Sequence, residues 1–393
     1  MVENKMSEGQ RFIEAYDNVR DSFGNTAALH HLQTQTINSS NYNNKLMFKN
    51  YLKIALRNLS NYRFYSFINI AGLGVSVACC LLISLFVIDE LSYDTFWKDG
   101  DQIYRTNRHG KYGDNQFDFA VSPAPLALAL INEVPEIEEA VRFRTQGSFL
   151  VRTSQMTESF KESTLIFADP GVFNLFGIDV VAGDASEALT KSQSIAISSS
   201  MANKYFGTTE AVGKQLVLDG DMDYDVMAVF EDIPDNSHLD LDFIMSMKDI
   251  ERSNSTMWLS NNFYTYFKIN EGADPRVVEQ KINDLADKYV GPQLEAFSGY
   301  SYEDFVASGN YMYFELQPLK DIYLKSDFIF DIGASGDLTY IYLFSLVALF
   351  ILVIACINFM NLSTARSANR AKEVGIRKVL GSYKSHLVKQ FLA

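Results

Sequence analysis

Two long apolar segments limit the folds open to this chain of 393 residues. Residues 67–88 contain no charged side chain, and residues 340–362 contain only two strongly polar ones, Asn358 and Asn361 near one end. At about 1.5 Å of rise per helical residue, either segment covers the roughly 30 Å hydrocarbon core of a bilayer. The first lies too far from Met1, and lacks the small-residue cleavage pattern, to be a removed signal peptide. The sequence therefore predicts two membrane spans.

Charge is distributed unevenly around the two spans. Residues 89–339 hold 19 lysines and arginines against 42 aspartates and glutamates, a net charge of −23. Basic residues cluster outside the spans, and Glu373 is the only acid after the second one. Because basic loops stay in the cytoplasm, both termini are predicted to be cytoplasmic and residues 89–339 periplasmic, in a multi-pass protein of the inner membrane. The net charge of −14 for the whole chain argues against a nucleic acid partner.

The spans divide the chain into six predicted regions. In the region before the first span, apolar residues recur at helical spacing opposite a basic face, which predicts an amphipathic helix on the inner membrane surface. The residues before that helix are polar and show no core-forming periodicity. The regions are a polar extension at 1–46, the interfacial helix at 47–65, transmembrane helix 1 at 66–88, a periplasmic domain at 89–339, transmembrane helix 2 at 340–362 and a cytoplasmic helix at 363–393.

The periplasmic region alternates strand and helix signals, so we predict a large α+β domain flanked by two transmembrane α-helices. The apolar-alternating runs on either side of Asp219-Gly220 are the signature of a β-hairpin. All three cysteines lie in the apolar segments, so the domain has to be stable through its core alone. Two pairs of residues predict a helix N-cap followed by proline, Ser122-Pro123 and Asp274-Pro275.

The usual motifs of enzymes and metal sites are missing from the sequence. It contains no ATP-binding P-loop, and its five histidines lack Cys or His neighbours at metal-ligand spacing. Asp219, Asp221 and Asp223 imitate the start of a calcium loop, but Tyr224 and Phe230 stand where Gly and Glu are needed. We therefore predict no catalytic residue, cofactor site or metal site, and no enzymatic activity, in this chain.

The segment after the second span has a specific pattern. Residues 370–381 read Arg-Ala-Lys-Glu-Val-Gly-Ile-Arg-Lys-Val-Leu-Gly, which resembles the cytoplasmic stretch after the second span of MacB/FtsX-type ABC transporter permeases. Residues 55–59 and 68–74 resemble the first helix and first span of that family. The resemblance extends over residues 47–393, in matching order and spacing. Further blocks resemble the family's extracytoplasmic core domain: 167–173, 176–177, 183–184, 205–207, 213–214 and 229–238.

The resemblance implies a permease subunit of an ABC transporter, with a MacB-like periplasmic core domain. ATP would be hydrolysed by a separate cytoplasmic ATPase subunit, whose motion reaches the periplasmic domain through the cytoplasmic helix and the spans. A second permease copy is an expected partner, and a peptide, drug or lipoprotein is the expected substrate for export or extrusion. Family members carry further spans, so the chain is expected to be an N-terminal fragment. The expected ATPase-coupling residues are Glu373, Gly375, Arg377, Lys378 and Gly381.

Two other functions remain open, and so does a simpler role for the last segment. Two spans around an exported domain also occur in bacterial membrane sensors, but these signal through sustained heptads, which Gly375 and Gly381 interrupt. An FtsX-like scaffold would activate a periplasmic partner without transport and would use the same ATPase. The basic last segment could also serve only to fix the topology.

Overall fold

The structure is a computed structural model that describes residues 53, 57, 63–163 and 165–379. The polar extension at 1–46, most of the interfacial helix predicted at 47–65 and the end of the predicted cytoplasmic helix lie outside the described residues. The chain divides into two compact units. One is the chain up to Leu81 together with the chain from Ala348, and the other is Leu82–Val347.

The described residues form eight α-helices and fourteen β-strands. The helices are α1 (Arg63–Leu91), α2 (Leu126–Glu133), α3 (Val172–Phe176), α4 (Ser199–Phe206), α5 (Pro275–Ser298), α6 (Tyr302–Ala307), α7 (Leu319–Lys325) and α8 (Leu338–Val379). The strands are β1 (Ile103–Tyr112), β2 (Asn115–Phe119), β3 (Ser122–Pro123), β4 (Ile137–Thr145), β5 (Phe149–Thr153), β6 (Phe160–Glu162), β7 (Leu165–Ala168), β8 (Val180–Gly183), β9 (Ser194–Ser198), β10 (Gln215–Leu218), β11 (Met222–Phe230), β12 (Phe243–Ser246), β13 (Asn261–Ile269) and β14 (Tyr311–Pro318).

Helices α1 and α8 contain the two apolar segments. Ser66–Leu91 and Leu338–Asn361, of 26 and 24 residues, are long and apolar enough to cross a membrane. In the most apolar part of Ser66–Leu91 no residue is buried, and in that of Leu338–Asn361 11% of the residues are buried. A core helix of a soluble domain would be mostly buried. Between the two helices the Cys80 thiol donates a hydrogen bond to the Ala348 carbonyl at 3.4 Å. Helix α8 continues without a break through the first part of the predicted cytoplasmic helix.

The unit Leu82–Val347 is built on one mixed sheet. Along the sheet the strands follow the order β14-β1-β13-β4-β7-β12-β9-β11-β10-β5-β6, with β2 beside β1, β3 beside β13 and β8 beside β11. The pairs β7–β12 and β9–β11 are parallel, and the other pairs are antiparallel. A mixed α/β domain between two apolar helices is the coarse architecture that the sequence predicted.

Of the local structures predicted in the domain, the hairpin and one helix cap are confirmed and the other cap is wrong. The predicted hairpin is confirmed, because β10 and β11 pair antiparallel around Asp219 and Gly220, which both have positive φ. Asp274 caps α5 as predicted, accepting a hydrogen bond from the Arg276 N–H. The N-cap predicted at Ser122 is wrong. The Ser122 hydroxyl donates to the Phe263 carbonyl at 3.0 Å instead of capping a helix. Ser122 lies in β3, and α2 begins later, at Leu126.

Candidate functional site

The residues predicted to couple the chain to an ATPase lie toward the end of α8. Glu373, Gly375, Arg377 and Lys378 fall within its helical backbone, whereas Gly381 lies outside the described residues. A spacing of four residues places Glu373 and Arg377 on one face of the helix. Their coupling role stays a prediction.

A second candidate site lies where the chain passes from the C-terminal end of α1 into the domain. The chain turns at Asp94, which has a left-handed φ of 57° and a fully buried side chain. Its N–H donates to the Asn236 carbonyl at 2.9 Å, and the Asn236 amide donates to the Ser92 carbonyl at 3.1 Å. The loop that follows β11 therefore holds the end of α1.

Asp94 is the acceptor for four donors from this neighbourhood. Its carboxylate accepts from the indole N–H of Trp97 at 3.0 Å, from the Ser237 hydroxyl at 3.2 Å and from the His238 N–H at 3.2 Å. The fourth contact joins its Oδ2 to Nδ1 of His238 at 2.8 Å. Because a carboxylate only accepts, Nδ1 carries a proton. The second ring nitrogen, Nε2, lies 2.9 Å from the Tyr266 hydroxyl.

The buried polar contacts continue across the sheet towards α8. The Tyr266 hydroxyl on β13 lies beside the guanidinium of Arg105 on β1, close enough for each group to shift the pKa of the other. Arg105 is fully buried and pairs with Asp331, in the segment that leads to α8. Its Nη2 also donates to Gln317 Oε1 at 2.8 Å and to the Ser326 hydroxyl at 2.9 Å. Five residues, Asp94, His238, Tyr266, Arg105 and Asp331, thus connect the end of α1 with the approach to α8, and we call them the junction.

Two glycines let the segment before α8 lie closely on the junction. The Ala334 N–H donates to the His238 carbonyl at 3.2 Å, and the Gly336 N–H donates to the Tyr323 carbonyl at 2.7 Å. A Cβ on Gly333, where φ is +76°, would lie 1.6 Å from that His238 oxygen, and one on Gly336 would lie 2.7 Å from the Tyr323 ring. Any larger residue would push the segment away.

Helix α7 supports the end of α1 from another side. The Tyr323 hydroxyl lies 3.0 Å from Glu90 Oε2, near the last turn of α1. The Tyr323 ring also stacks on Tyr93, with 3.4 Å between ring centroids and 6° between planes. Both contacts oppose a shift of α1 against the domain.

The junction contains one buried ion pair, between Arg105 and Asp331. Burial raises the pKa of Asp331, but the Arg105 guanidinium outweighs it and holds that pKa below its usual value. Burial lowers the pKa of Arg105, but Tyr266 and Asp331 together raise it above its usual value. Burial also raises the pKa of Tyr266, so its hydroxyl keeps its proton at neutral pH. The pair of Arg105 and Asp331 is therefore ionised, and the hydroxyl of Tyr266 is neutral.

Asp94 and His238 of the junction, together with the neighbouring Ser237, match a catalytic triad in residue type but not in geometry. The Ser237 hydroxyl bonds Asp94 rather than the histidine ring, and Ser237, His238 and Asp94 are all buried. No substrate can reach a nucleophile there. Among the described residues, no group of His, Cys, Asp and Glu side chains is arranged to hold a metal ion. The arrangement suits a mechanical joint, because its buried bonds are directional and costly to leave unmade.

Sequence reasoning did not find the junction. The sequence singles out Ser237 and His238 only as part of a block that resembles a permease core domain. It does not single out Asp94. His238 and Asp94 are 144 residues apart, so no spacing rule joins them. The signal available in the sequence was His238 beside Ser237, with no Cys or His at metal-ligand spacing. Such a pair is too common to indicate a buried network.

Comparison with known proteins agrees with the architecture. Residues 66–285 match the family of the MacB-like periplasmic core domain. A search of curated proteins gave no match. Among solved structures, a domain of a protein described as a permease from Porphyromonas gingivalis is similar, with a TM-score of 0.50 and 21% identity, over 62% of this chain and 96% of that one. This likeness shows a shared fold.

Two further solved structures show weaker similarity. The periplasmic region of MacB from Actinobacillus actinomycetemcomitans has a TM-score of 0.38 and 14% identity, over 58% of this chain and 94% of that one. The extracellular domain of the noncanonical ABC-type transporter YknZ from Gram-positive bacteria has a TM-score of 0.35 and 17% identity, over 48% and 95%.

The family match includes most of α1, the sheet from β1 to β13 and four of the five junction residues, all but Asp331. It covers more than half of the chain, and it agrees with the resemblance to MacB/FtsX-type permeases seen in the sequence. The chain belongs to the family of the MacB-like periplasmic core domain.

Proposed function

We propose that this chain is the permease subunit of an ABC transporter in the inner membrane. Helices α1 and α8 cross the bilayer, the sheet domain lies in the periplasm and both termini are cytoplasmic. Family membership, the two exposed apolar helices and the acidic charge of residues 89–339 support this assignment. The partners are a cytoplasmic ATPase subunit, which hydrolyses the ATP, and a second copy of the permease.

The motion of the ATPase enters the permease at Glu373, Gly375, Arg377, Lys378 and Gly381. Helix α8 has an unbroken backbone over 42 residues, about 60 Å of helix, so no loop within it absorbs a push or a rotation. A loop would dissipate such a movement in its own φ and ψ angles.

The junction is the observation that carries the proposal. The segment that follows α1 and the segment that precedes α8 both bond to one buried network, so a displacement of either helix would strain bonds to β1 and β13. Breaking those bonds one at a time leaves buried polar groups without partners, which costs more free energy than moving the network as a unit. The sheet domain then moves with the helices and acts on a peptide, drug or lipoprotein in the periplasm.

A double substitution, Glu373→Ala with Gly375→Leu, tests the coupling. In membranes that hold the full chain and its ATPase, this variant should insert normally and keep the protease resistance of the periplasmic domain. The ATPase should no longer be stimulated by the permease. Glu303→Ala, on the exported domain, serves as the control and should leave stimulation unchanged.

Normal stimulation by the double variant would leave the segment as a topological anchor only. Failure of any ATPase to co-purify with the wild-type chain would favour a membrane sensor instead. Stimulation by wild type with no transported substrate would favour the FtsX-like scaffold.

A further inference from the structure

A large cleft opens in the domain next to the junction. Its volume is about 1120 Å³, slightly more than the roughly 300–1,000 Å³ of most small-molecule sites. Part of its wall is aromatic and comes from Phe96, Trp97, Phe173 and Phe176. Phe96 is 36% exposed, so the cleft presents apolar surface to solvent.

Carboxylates dominate the polar part of the lining. Six acidic side chains face two lysines, which leaves a net charge of −4 in the cleft. One of the two, Lys268, is already neutralised, because its ammonium lies 2.9 Å from Asp99 and 3.1 Å from Glu138. Walls of low dielectric concentrate such a field and attract cations. The acids are Asp99, Glu139, Asp179, Asp184, Glu231 and Asp232, and the lysines are Lys98 and Lys268.

Glu139 is the most informative of these carboxylates. It is half-buried on β4, where the Asn174 amide donates to it at 2.5 Å. A Cβ on Gly171 would lie 2.3 Å from its Oε1, so the glycine keeps space open for the carboxylate. Burial raises the pKa of Glu139, which means that its charge is held there at a cost in stability. Charges kept at such a cost are often functional.

We propose that this cleft binds a basic, amphipathic peptide segment. Lysine or arginine side chains of the ligand pair with Glu139 and its neighbouring acids, and an apolar side chain packs on Phe96 and Trp97. The carboxylates are spread along the cleft, and none of the described groups is arranged to hold a metal ion, so the site does not suit a small ion. The exposed ring of Phe96 adds cation–π attraction for the same side chains. This inference does not depend on the coupling to an ATPase.

The cleft is also linked to the junction. The Trp97 indole, which lines the cleft, donates its N–H to Asp94. A ligand that packs on Trp97 therefore touches a residue bonded to the anchor of α1. Trp97 also supplies the readout, because the chain contains only two tryptophans. In a Trp258→Phe background the fluorescence comes from Trp97 alone.

The test uses the full chain in nanodiscs of zwitterionic lipid, without any ATPase. The probe is the synthetic peptide Lys-Phe-Lys-Phe-Lys, with Glu-Phe-Glu-Phe-Glu as the charge-reversed control and spermidine as the small cation. The basic peptide should change Trp97 fluorescence saturably, after subtraction of empty nanodiscs. Glu139→Gln should weaken its affinity about tenfold, as expected for the loss of one charged hydrogen bond.

Two further variants keep the test decisive. Glu231→Gln, on the exposed rim, should also weaken binding, whereas Glu210→Gln, an exposed acid outside the cleft, should not. The proposal is overturned if both peptides bind equally, if Glu139→Gln and Glu231→Gln bind like wild type, or if spermidine alone saturates the site. Loss of ATPase coupling with intact peptide binding would count against the proposed function and not against the cleft.

Discussion

Replacing Asp94 by Asn separates the charge of this residue from its shape, because Asn also tolerates a left-handed φ. The Asn side chain keeps one oxygen, which can still accept from Trp97, from Ser237 and from the backbone N–H of His238. Its NH₂ group then faces the Nδ1–H of His238, a donor that loses its acceptor. A hydrogen bond to a charged group contributes about 1.5–3 kcal/mol, and the three bonds that remain lose their charged acceptor, so the substitution should cost about 3 kcal/mol of unfolding free energy.

A switch of the histidine tautomer does not rescue the variant. If Nδ1 of His238 accepted from the new amide, Nε2 would carry the proton and donate to the Tyr266 hydroxyl. That hydroxyl would lose its own acceptor, because its other neighbour, Arg105, offers only donors. The unpaired donor would then be the Tyr266 hydroxyl instead of the Nδ1–H of His238.

Thermal unfolding of the full chain in nanodiscs measures the effect. About 1 kcal/mol shifts the melting temperature by about 2–4 °C in a domain of this size, so Asp94→Asn should lower it by about 10 °C. Asp235→Asn, on the exposed part of the loop that follows β11, is the matched control and should change the melting temperature little. A loss below about 1 kcal/mol for Asp94→Asn would refute the view that its carboxylate holds the end of α1.

Three further predictions concern other parts of the chain. Gly333→Ala should destabilise the domain by at least about 3 kcal/mol, because its Cβ would overlap the His238 carbonyl and φ is +76°. A denaturant midpoint equal to that of the wild type would contradict this. Glu139 has a raised pKa when folded, so its stability contribution falls as pH rises above about 4.3. Glu139→Gln should therefore raise the melting temperature at neutral pH and not below about pH 4, and an equal gain at both would show another cause. A thiol introduced at Asp221 should react with a membrane-impermeant reagent in cells with a permeabilised outer membrane, whereas one at Ser382 should not; labelling of Ser382 would reverse the proposed topology.

Local signals were reliable where neighbouring residues decide the structure. The hairpin at Asp219-Gly220 follows from two residues that accept positive φ, and the cap at Asp274 follows from a side chain that reaches its own helix. Ser122 offered the same signal as Asp274, but its hydroxyl is engaged by β13 instead. The sheet order was also beyond local reasoning, since β1 pairs with β14, more than 200 residues away.

The sequence by itself determined the two apolar helices, the charge asymmetry around them and the family of the domain between them. Hydrophobicity and charge act additively over a segment, so each can be summed without knowing any contact. Only the tertiary structure decided that Asp94, His238 and Arg105 form one network, and that Glu139 lines an acidic cleft. These sites depend on side chains that the sheet brings together from distant strands and loops. Hydrogen bonds are short and directional, so their partners are settled by folding and cannot be inferred from composition or spacing.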